Sequence, residues 1–250
     1  MFCKAIFEDM NRVVTLLCAV ILSISAVAQS RSFDAQMREY GLVDIATLDD
    51  DILVELRYST PDNFVGVDMY GDLDRAYLER DFAAKVIEAQ RILRSRHPEY
   101  TLLIYDAARP ISVQRRMRQI VEGTQFEEFV ADGTRGGRHN YGVAVDLTIA
   151  TLDGTPLDMG AGFDDFTEAA YVKGTADNSD ASTRTIAVYR AYAESQVRRG
   201  IISVEAAENR LLLIGVMLEA GLYPYRREWW HFEEIISMSE TRQKYKLLDF

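Results

Sequence analysis

Apolar and polar residues alternate with the period of a β-strand in some segments of the chain and follow helical spacing in others. Residues 51–58, DILVELRY, alternate as a half-buried strand does. The segments 101–107, TLLIYDA, and 143–149, VAVDLTI, are short and mostly apolar, which predicts two further strands. The aromatic stretch EWWHF, beyond Pro224, predicts a final strand.

Helical spacing first appears in residues 75–96. There the apolar side chains recur on one helical face, at Leu78, Phe82, Val86, Ile87 and Leu93. A second, shorter helix is expected over residues 111–121. Pro110 suits the first turn of that helix, because the N–H that proline lacks is not needed there.

Two more helices are expected near residues 184–199 and 203–220. Ser203 is a typical N-cap for the second of them, and Gly221 is a typical residue just after a helix end. Helices and strands therefore follow one another irregularly, without repeated βαβ units, internal repeats or low-complexity linkers. The expected fold is α+β, a single domain with a small mixed or antiparallel sheet flanked by helices.

The first 28 residues have the pattern of a secretory signal peptide. Two basic residues precede the apolar run Val13–Ala28, which ends in an A-x-A-like cleavage site before Gln29. The run is shorter than the ~20 residues that a membrane-spanning helix needs, so cleavage is favoured over an uncleaved membrane anchor. We expect residues 29–250 to form the exported domain, in the periplasm or outside the cell.

The cysteine count and the net charge limit which metal ligands and which partners the exported domain can use. Cys3 and Cys18 are the only cysteines, and both lie in the expected signal peptide. The exported domain must then be stabilised by its core, and a metal site in it must use nitrogen and oxygen ligands. The formal net charge of −11 argues against nucleic acid or anionic lipid as a partner. Stable membrane insertion after cleavage is not expected either.

The chain has three histidines, and two of them lie near carboxylates in unusual settings. His97 ends a helical segment just before Pro98 and is interpreted as structural. His139 lies in the glycine-rich turn GGRHNYG, ahead of Asp146 in an otherwise apolar strand. Burial of that carboxylate would require a hydrogen-bond network or a metal. The alternative for Asp146 is a solvent-facing position on an amphipathic strand.

The third histidine, His231, lies within EWWHF and follows Glu228 by three residues. On a strand, an odd offset sends two side chains to opposite faces, so both can reach one centre only if Glu228 lies at a bent entrance to the strand. A buried, hydrogen-bonded His231 is the structural alternative. Combined with His139 and Asp146, however, His231 completes a ligand set typical of catalytic zinc sites. Glu228 could then take a proton from water.

The motifs HNYGVAVDL and EWWHF together resemble those of the zinc D-Ala-D-Ala dipeptidases of the VanX type, in peptidase family M15 with D,D-carboxypeptidases and Hedgehog-like domains. The pattern of the family is SxHxxGxAxD followed much later by ExWH. The segments RYSTPDNFVG, YDAARP and LDMGAGFDDF, at 57–66, 105–110 and 157–166, are also similar to the dipeptidase branch, in the same order. The resemblance therefore covers nearly all of the expected exported domain.

The resemblance implies a metal site carried by the sheet and a hydrolytic mechanism. His139, Asp146 and His231 would bind one Zn²⁺ per chain, and Glu228 would be the general base for the water that attacks the peptide carbonyl. The substrate would be D-Ala-D-Ala or a similar short D-configured dipeptide from peptidoglycan metabolism.

The resemblance also implies how the pocket binds its substrate. Arg109 would stabilise the oxyanion, and its rigid fork of donors suits that task. Asp164 would bind the substrate ammonium group, with Tyr58 beside it. One departure from the family is Gly137, which stands where the family has serine, so the resemblance does not determine the preferred dipeptide.

Two alternatives follow from the same residues. One is a D,D-carboxypeptidase or peptidoglycan endopeptidase that acts on longer stem peptides. The other is a non-catalytic zinc-containing module that binds wall fragments or a partner protein. Glu228 and Arg109 argue against the module, because neither residue is needed merely to hold zinc.

Overall fold

The described part of the chain, residues 32–172 and 184–250 of a computed structural model, contains seven strands and six α-helices. The strands are β1 (Val43–Asp44), β2 (Leu53–Val54), β3 (Tyr77–Leu78), β4 (Tyr100–Asp106), β5 (Ala144–Thr151), β6 (Tyr223–Pro224) and β7 (His231–Glu233). The helices are α1 (Phe33–Glu39), α2 (Arg80–Arg96), α3 (Ile111–Val121), α4 (Ile186–Arg198), α5 (Val204–Glu219) and α6 (Met238–Lys244).

Five of the strands form one mixed sheet in the order β2-β4-β5-β7-β6. β2 runs parallel to β4, and the other neighbouring strands are antiparallel. β1 and β3 form a separate antiparallel pair. The expected α+β class is confirmed, and the sheet is mixed because a parallel strand lies at one edge.

The two longest strands, β4 and β5, lie inside the sheet and are buried almost throughout. Their apolar runs lack a polar face because both faces of the sheet are covered here. α2 packs on β4, and α5 packs on both α2 and β5. Phe82, Val86 and Leu93 of α2 are fully buried, and each such side chain contributes about 1.5–3 kcal/mol of hydrophobic stabilisation.

Two predicted elements are shorter than expected. The strand over 51–58 is correct only for Leu53–Val54, because the chain turns after Glu55 into a 3-10 turn at Arg57–Ser59. This turn directs Tyr58 into the interior, where it is 3% exposed. The alternation of residue types continues through the turn, so the pattern alone did not show it.

The helix predicted over 75–96 is correct only from Arg80 onward. Leu78 belongs to β3, whose backbone pairs with β1 instead of continuing into the helix. The Glu79 side chain accepts hydrogen bonds from the backbone N–H groups of Asp81 and Phe82, which caps the helix at that point. At the other end His97 is the C-cap residue, as its structural interpretation predicted.

The other predicted elements follow the sequence pattern closely, except for the strand predicted at EWWHF. α3 has the predicted bounds and begins directly after Pro110. Ser203 caps α5 by accepting a hydrogen bond from the Ala206 N–H at 2.9 Å, and Gly221 adopts a left-handed φ of 79° just beyond that helix. The final strand, β7, begins only at His231, so residues 225–230 form a turn before it.

The N-terminal predictions concern residues outside the described part of the chain. The expected signal peptide, residues 1–28, and both cysteines belong to that segment, and their interpretation stays a prediction. Phe33–Phe250 forms one compact unit. Within the described ranges, none of the helices has the length and apolar character required to cross a membrane.

Candidate metal centre

Antiparallel pairing of β5 with β7 places Asp146 directly opposite His231. Side chains at directly opposed positions of neighbouring strands lie on the same face of the sheet and contact each other. His139 reaches the same face from a 3-10 turn, Arg138–Tyr141, which immediately precedes β5. Gly142 ends that turn with a φ of 69°, and a Cβ there would lie 3.0 Å from Leu42 Cδ2. Glycine is therefore required where the chain turns into β5.

The three candidate ligands converge on one point. His139 Nε2 lies 3.1 Å from His231 Nδ1 and 3.3 Å from Asp146 Oδ1. His231 Nδ1 lies 3.0 Å from the same carboxylate oxygen. The solvent-facing alternative for Asp146 is wrong, because this residue is only 3% exposed.

Hydrogen bonds on the outer sides of the rings determine which nitrogen atoms face inward with lone pairs. His139 Nδ1 donates to the Ala107 carbonyl oxygen at 2.7 Å, which leaves Nε2 as an acceptor. His231 Nε2 faces Glu233 Oε2 at 3.3 Å, which leaves Nδ1 as an acceptor. When both rings are neutral, two imidazole lone pairs and a carboxylate oxygen thus meet without a donor among them. This donor set fits a divalent cation such as zinc, and the three residues form a candidate His–Asp–His metal site.

The electrostatics of the pocket favour positive charge at this point. Burial opposes ionisation of Asp146, but His139 and His231 lower the pKa of its carboxyl well below the usual value. Burial likewise opposes a charged imidazole at His231, but Asp146 and Glu233 raise its pKa to about 10 in the metal-free site. A divalent cation bound here would take the place of the proton on His231 Nδ1.

Glu228 lies in the turn that precedes β7, which is the bent entrance that a shared centre requires. Its N–H donates to the Tyr225 carbonyl at 3.2 Å, and the Tyr225 N–H donates to the carbonyl of His231. The turn brings Glu228 Oε2 to 3.7 Å from His231 Nδ1. Burial raises the pKa of Glu228, and the charge of Asp146 adds to the shift.

Arg109 is not a surface arginine, because its side chain is held inside the pocket with only 12% exposed. Its Nη2 donates to Asp106 Oδ2 at 2.5 Å and its Nη1 to Gln114 Oε1 at 2.9 Å. Asp106 also accepts a hydrogen bond from Tyr70 at 2.6 Å, and the guanidinium lies 5.0 Å from the centre of the Tyr58 ring. The fork of Arg109 is therefore fixed from several sides.

Asp164 and Tyr58 lie together, as their shared role predicts. The Tyr58 hydroxyl donates to Asp164 Oδ2 at 2.9 Å. Burial raises the pKa of the Asp164 carboxyl well above its usual value. Asp164 also has a φ of 59°, the only positive value for a non-glycine residue in the described ranges.

All of the predicted site residues line a single cavity of about 470 Å³. They are Tyr58, Arg109, His139, Asp146, Asp164, Glu228 and His231. Gly137 lines the same cavity, and a Cβ at that position would meet only Asn140 Oδ1, at 4.0 Å. The cavity therefore has room for the serine that the family pattern has at this position.

Three polar residues of the site did not emerge from the sequence. Asp106 and Gln114 hold Arg109, and Glu233 contacts both His231 and Arg138, whose Nε lies 2.6 Å from Glu233 Oε2. A signal existed for Glu233, because it follows His231 by two residues on a strand and so shares its face. Asp106 ends an apolar strand three residues before Arg109, which is a weaker signal.

Comparisons with known proteins identify the family of this chain. The model of peptidase family M15, described as D-Ala-D-Ala dipeptidase, matches residues 38–246. The chain is 33% identical to the D-alanyl-D-alanine dipeptidase of Escherichia coli (strain K12) over 192 residues, which cover 77% of this chain and 83% of that protein. It is 26% identical to the D-alanyl-D-alanine dipeptidase of a Synechocystis strain over 203 residues, covering 68% and 73%. The enzyme of the same name from Enterococcus faecium is 26% identical over 196 residues, covering 71% and 83%. The chain belongs to peptidase family M15, the family of D-Ala-D-Ala dipeptidases.

Proposed function

We propose that this chain is an exported zinc dipeptidase that hydrolyses D-Ala-D-Ala and similar short D-configured dipeptides. The observation that carries the proposal is the convergence of a candidate His–Asp–His ligand set, a half-buried glutamate and a largely buried arginine in one cavity. The names of the three similar proteins support the choice of substrate.

His139, Asp146 and His231 would hold the zinc ion. When bound, zinc supplies Lewis acidity, which polarises a peptide carbonyl and makes water acidic enough to react near neutral pH. Glu233 and the Ala107 carbonyl keep both rings in the tautomer that ligation needs. Hydrogen bonds within the protein would thus orient both imidazole rings before a metal binds.

Glu228 would accept the proton of the attacking water and deliver it to the leaving amine. Its carboxylate lies beside the ligand set but is farther from His231 Nδ1 than Asp146 is, which suits a base better than a ligand. Burial raises its pKa toward the working range of a general acid and base.

Arg109 would stabilise the negative charge that develops on the carbonyl oxygen. Asp106 and Gln114 hold its guanidinium in place, and the N–H groups that they do not engage can donate to that oxygen. Donors that are fixed in advance stabilise a transition state without reorganisation during the reaction.

Asp164 would bind the free ammonium group of the dipeptide. The hydrogen bonds that its side chain accepts within the described ranges come from the neutral hydroxyl of Tyr58. Burial raises the pKa of this carboxyl, and an ammonium group beside it would favour the ionised form, so ligand binding and ionisation would reinforce each other. A carboxylate at this end of the cavity would select substrates with a free N-terminus, which distinguishes a dipeptide from a longer chain.

The decisive test combines metal analysis with substrate length and configuration. We expect the purified zinc-loaded protein to hydrolyse D-Ala-D-Ala, to be much slower on L-Ala-L-Ala, and to be inactive on N-acetyl-D-Ala-D-Ala and on a stem pentapeptide. Hydrolysis of the acetylated substrate or of the pentapeptide would favour a carboxypeptidase or endopeptidase. Full zinc occupancy without hydrolysis of any of these peptides would favour a binding module.

A further inference from the structure

The loop that carries Asp164 is fastened at both ends by one buried arginine of α5. Arg210 is 2% exposed. Its Nε donates to the Met159 carbonyl at 2.6 Å, before Asp164, and its two Nη atoms donate to the carbonyls of Ala169 and Tyr171 at 2.7 and 3.3 Å, after Asp164. A single guanidinium thereby connects the two sides of a loop that has little regular structure.

Arg210 is held by backbone carbonyls rather than by a carboxylate, which is an expensive way to bury a charge. Burial lowers its pKa to about 10, with Asp158 and Asp165 acting in the opposite direction. The three carbonyl groups in turn need donors, because buried backbone oxygen atoms are nearly always paired. Arg210 therefore finds its hydrogen-bond acceptors in the loop, and the carbonyl groups of the loop find their donor in Arg210.

The loop has two further fixed points near Asp164. Gly160 lies against the start of α5, where a Cβ would be 2.8 Å from Ile202 and 3.0 Å from Ala206. The indole N–H of Trp229, next to the turn residue Glu228, donates to the Ala161 carbonyl at 3.1 Å. These contacts link the loop to α5 on one side and, through Trp229, to the turn that carries Glu228 on the other.

Aromatic contacts hold the part of the loop next to Asp164, where Phe163 packs on Tyr58 and Trp230. Open space nevertheless lies behind it, because Asp164 and Phe64 line both the metal cavity and a second cavity of about 790 Å³. Asp164 also has a left-handed backbone conformation, which persists only where surrounding contacts impose it. We therefore expect the position of its carboxylate to depend also on how the ends of the loop are tied.

We propose that Arg210 is a positioning residue for the ammonium group of the substrate, acting through Asp164. By tying Met159 to Ala169 and Tyr171, it holds the Asp164 carboxylate against Tyr58 at the amino end of the cavity. The inference rests on the proposed function, because it requires that Asp164 binds the ammonium group. That group keeps its charge throughout the reaction, so its contacts contribute to KM rather than to kcat.

The test uses Arg210→Lys in the zinc-loaded enzyme. Lysine keeps the charge but cannot span three carbonyl groups. We expect KM for D-Ala-D-Ala to rise about 10-fold or more, the scale of one charge-assisted contact, while kcat changes by no more than about twofold. Zinc content should equal that of the parent enzyme.

Arg199→Lys is the matched control. Arg199 contacts the same loop through an exposed ion pair with Glu168, but it does not tie its backbone. KM should stay at the parent value in this variant. An equal rise of KM in both arginine variants would overturn the proposal.

A double-mutant comparison separates positioning from a merely structural role. If Arg210 acts through Asp164, the rise of KM caused by Arg210→Lys should disappear in the Asp164→Asn background. A rise of the same size in both backgrounds, or a fall of kcat alone, would overturn the proposal. If Arg210→Lys does not fold, Gly160→Ala displaces the same loop from α5 and should show the same dependence on Asp164.

The two possible failures are distinguishable. If Asp164→Asn raises KM but neither Arg210→Lys nor Gly160→Ala does, the positioning role is wrong and the proposed function stands. If Asp164→Asn leaves KM unchanged, the assignment of the ammonium site is wrong, and the positioning role fails with it.

Discussion

Asp146 and His231 lie directly opposite each other on β5 and β7, with Asp146 Oδ1 3.0 Å from His231 Nδ1. Because side chains alternate between the faces of a strand, a shift of one residue in this pairing would send His231 to the other side of the sheet. The register of two strands is therefore part of the candidate metal site, and substitutions that change it should remove metal binding without touching a ligand.

We predict that the protein binds one zinc ion per chain and that His139→Ala and His231→Ala lose it. Each substitution leaves two ligands, which is too few for a stable zinc site. Metal content after dialysis against a mild chelator, measured by mass spectrometry of the metal, checks this. His97→Ala is the matched control and should retain zinc, because His97 lies at the end of α2 and stacks on Tyr100. Equal zinc content in all three variants would contradict the site.

Glu228→Gln should abolish most of the activity and leave the metal in place. Glutamine keeps the shape of the side chain but cannot accept the proton of water, so kcat should fall by roughly 100-fold or more, as is typical when a general base is lost. Zinc content and thermal stability should remain near the parent values. Full activity on D-Ala-D-Ala would refute Glu228 as the base, and loss of zinc would indicate that it is a ligand.

Arg109→Lys should lower kcat while zinc remains bound. Lysine retains the positive charge but not the fork that donates to Asp106 and Gln114, so the charge would no longer be held where the oxyanion forms. Loss of one such donor costs about 100-fold or more in kcat. Steady-state kinetics with metal analysis of the same sample measures both quantities. An unchanged kcat would exclude Arg109 from the chemistry.

Stability should depend on pH through Glu234. Burial disfavours its ionised form, but hydrogen bonds from Lys85 and Tyr245 outweigh burial and lower its pKa below the usual 4.5. A lowered pKa in the folded state gives stabilisation that is present above the unfolded-state pKa and is lost as pH falls toward the folded-state value. Denaturant unfolding of the parent and of Glu234→Gln should therefore differ most near neutral pH, and the difference should shrink as pH falls below the unfolded-state value of about 4.3. A constant difference across that range would contradict this origin.

We predict that the exported form of the protein contains no cysteine. If the signal peptide is cleaved after Ala28, the exported form begins at Gln29 and lacks both Cys3 and Cys18. Thiol reagents should not label this form, and reductant should not change its melting temperature. Intact-mass measurement of the exported protein checks the cleavage site, and a mass that includes residues 1–28 would overturn the prediction.

The sequence indicated the candidate ligands more clearly than the residues that hold the site in place. His139, Asp146 and His231 belong to two short motifs, and the strands that carry them are apolar enough to be recognised. Gln114, by contrast, lies near the start of α3, five residues after Arg109. Its side chain meets Arg109 only because the chain turns at Pro110 into that helix, and no hydrophobic pattern indicates such a contact. The turn that places Tyr58 in the cavity was missed because its residues continue the alternation of a strand, although the chain has already left the sheet.

Because β5 is hydrogen-bonded to a neighbour on each side and buried nearly throughout, the candidate ligand Asp146 is not exposed by fraying at an edge. We expect the amide protons of its backbone to exchange with deuterium only when the whole fold opens. The loop that carries Asp164 should exchange far sooner. Substrate binding and metal retention would then be governed by opening events of very different frequency, which allows the amino end of the cavity to admit a dipeptide while the metal centre stays closed.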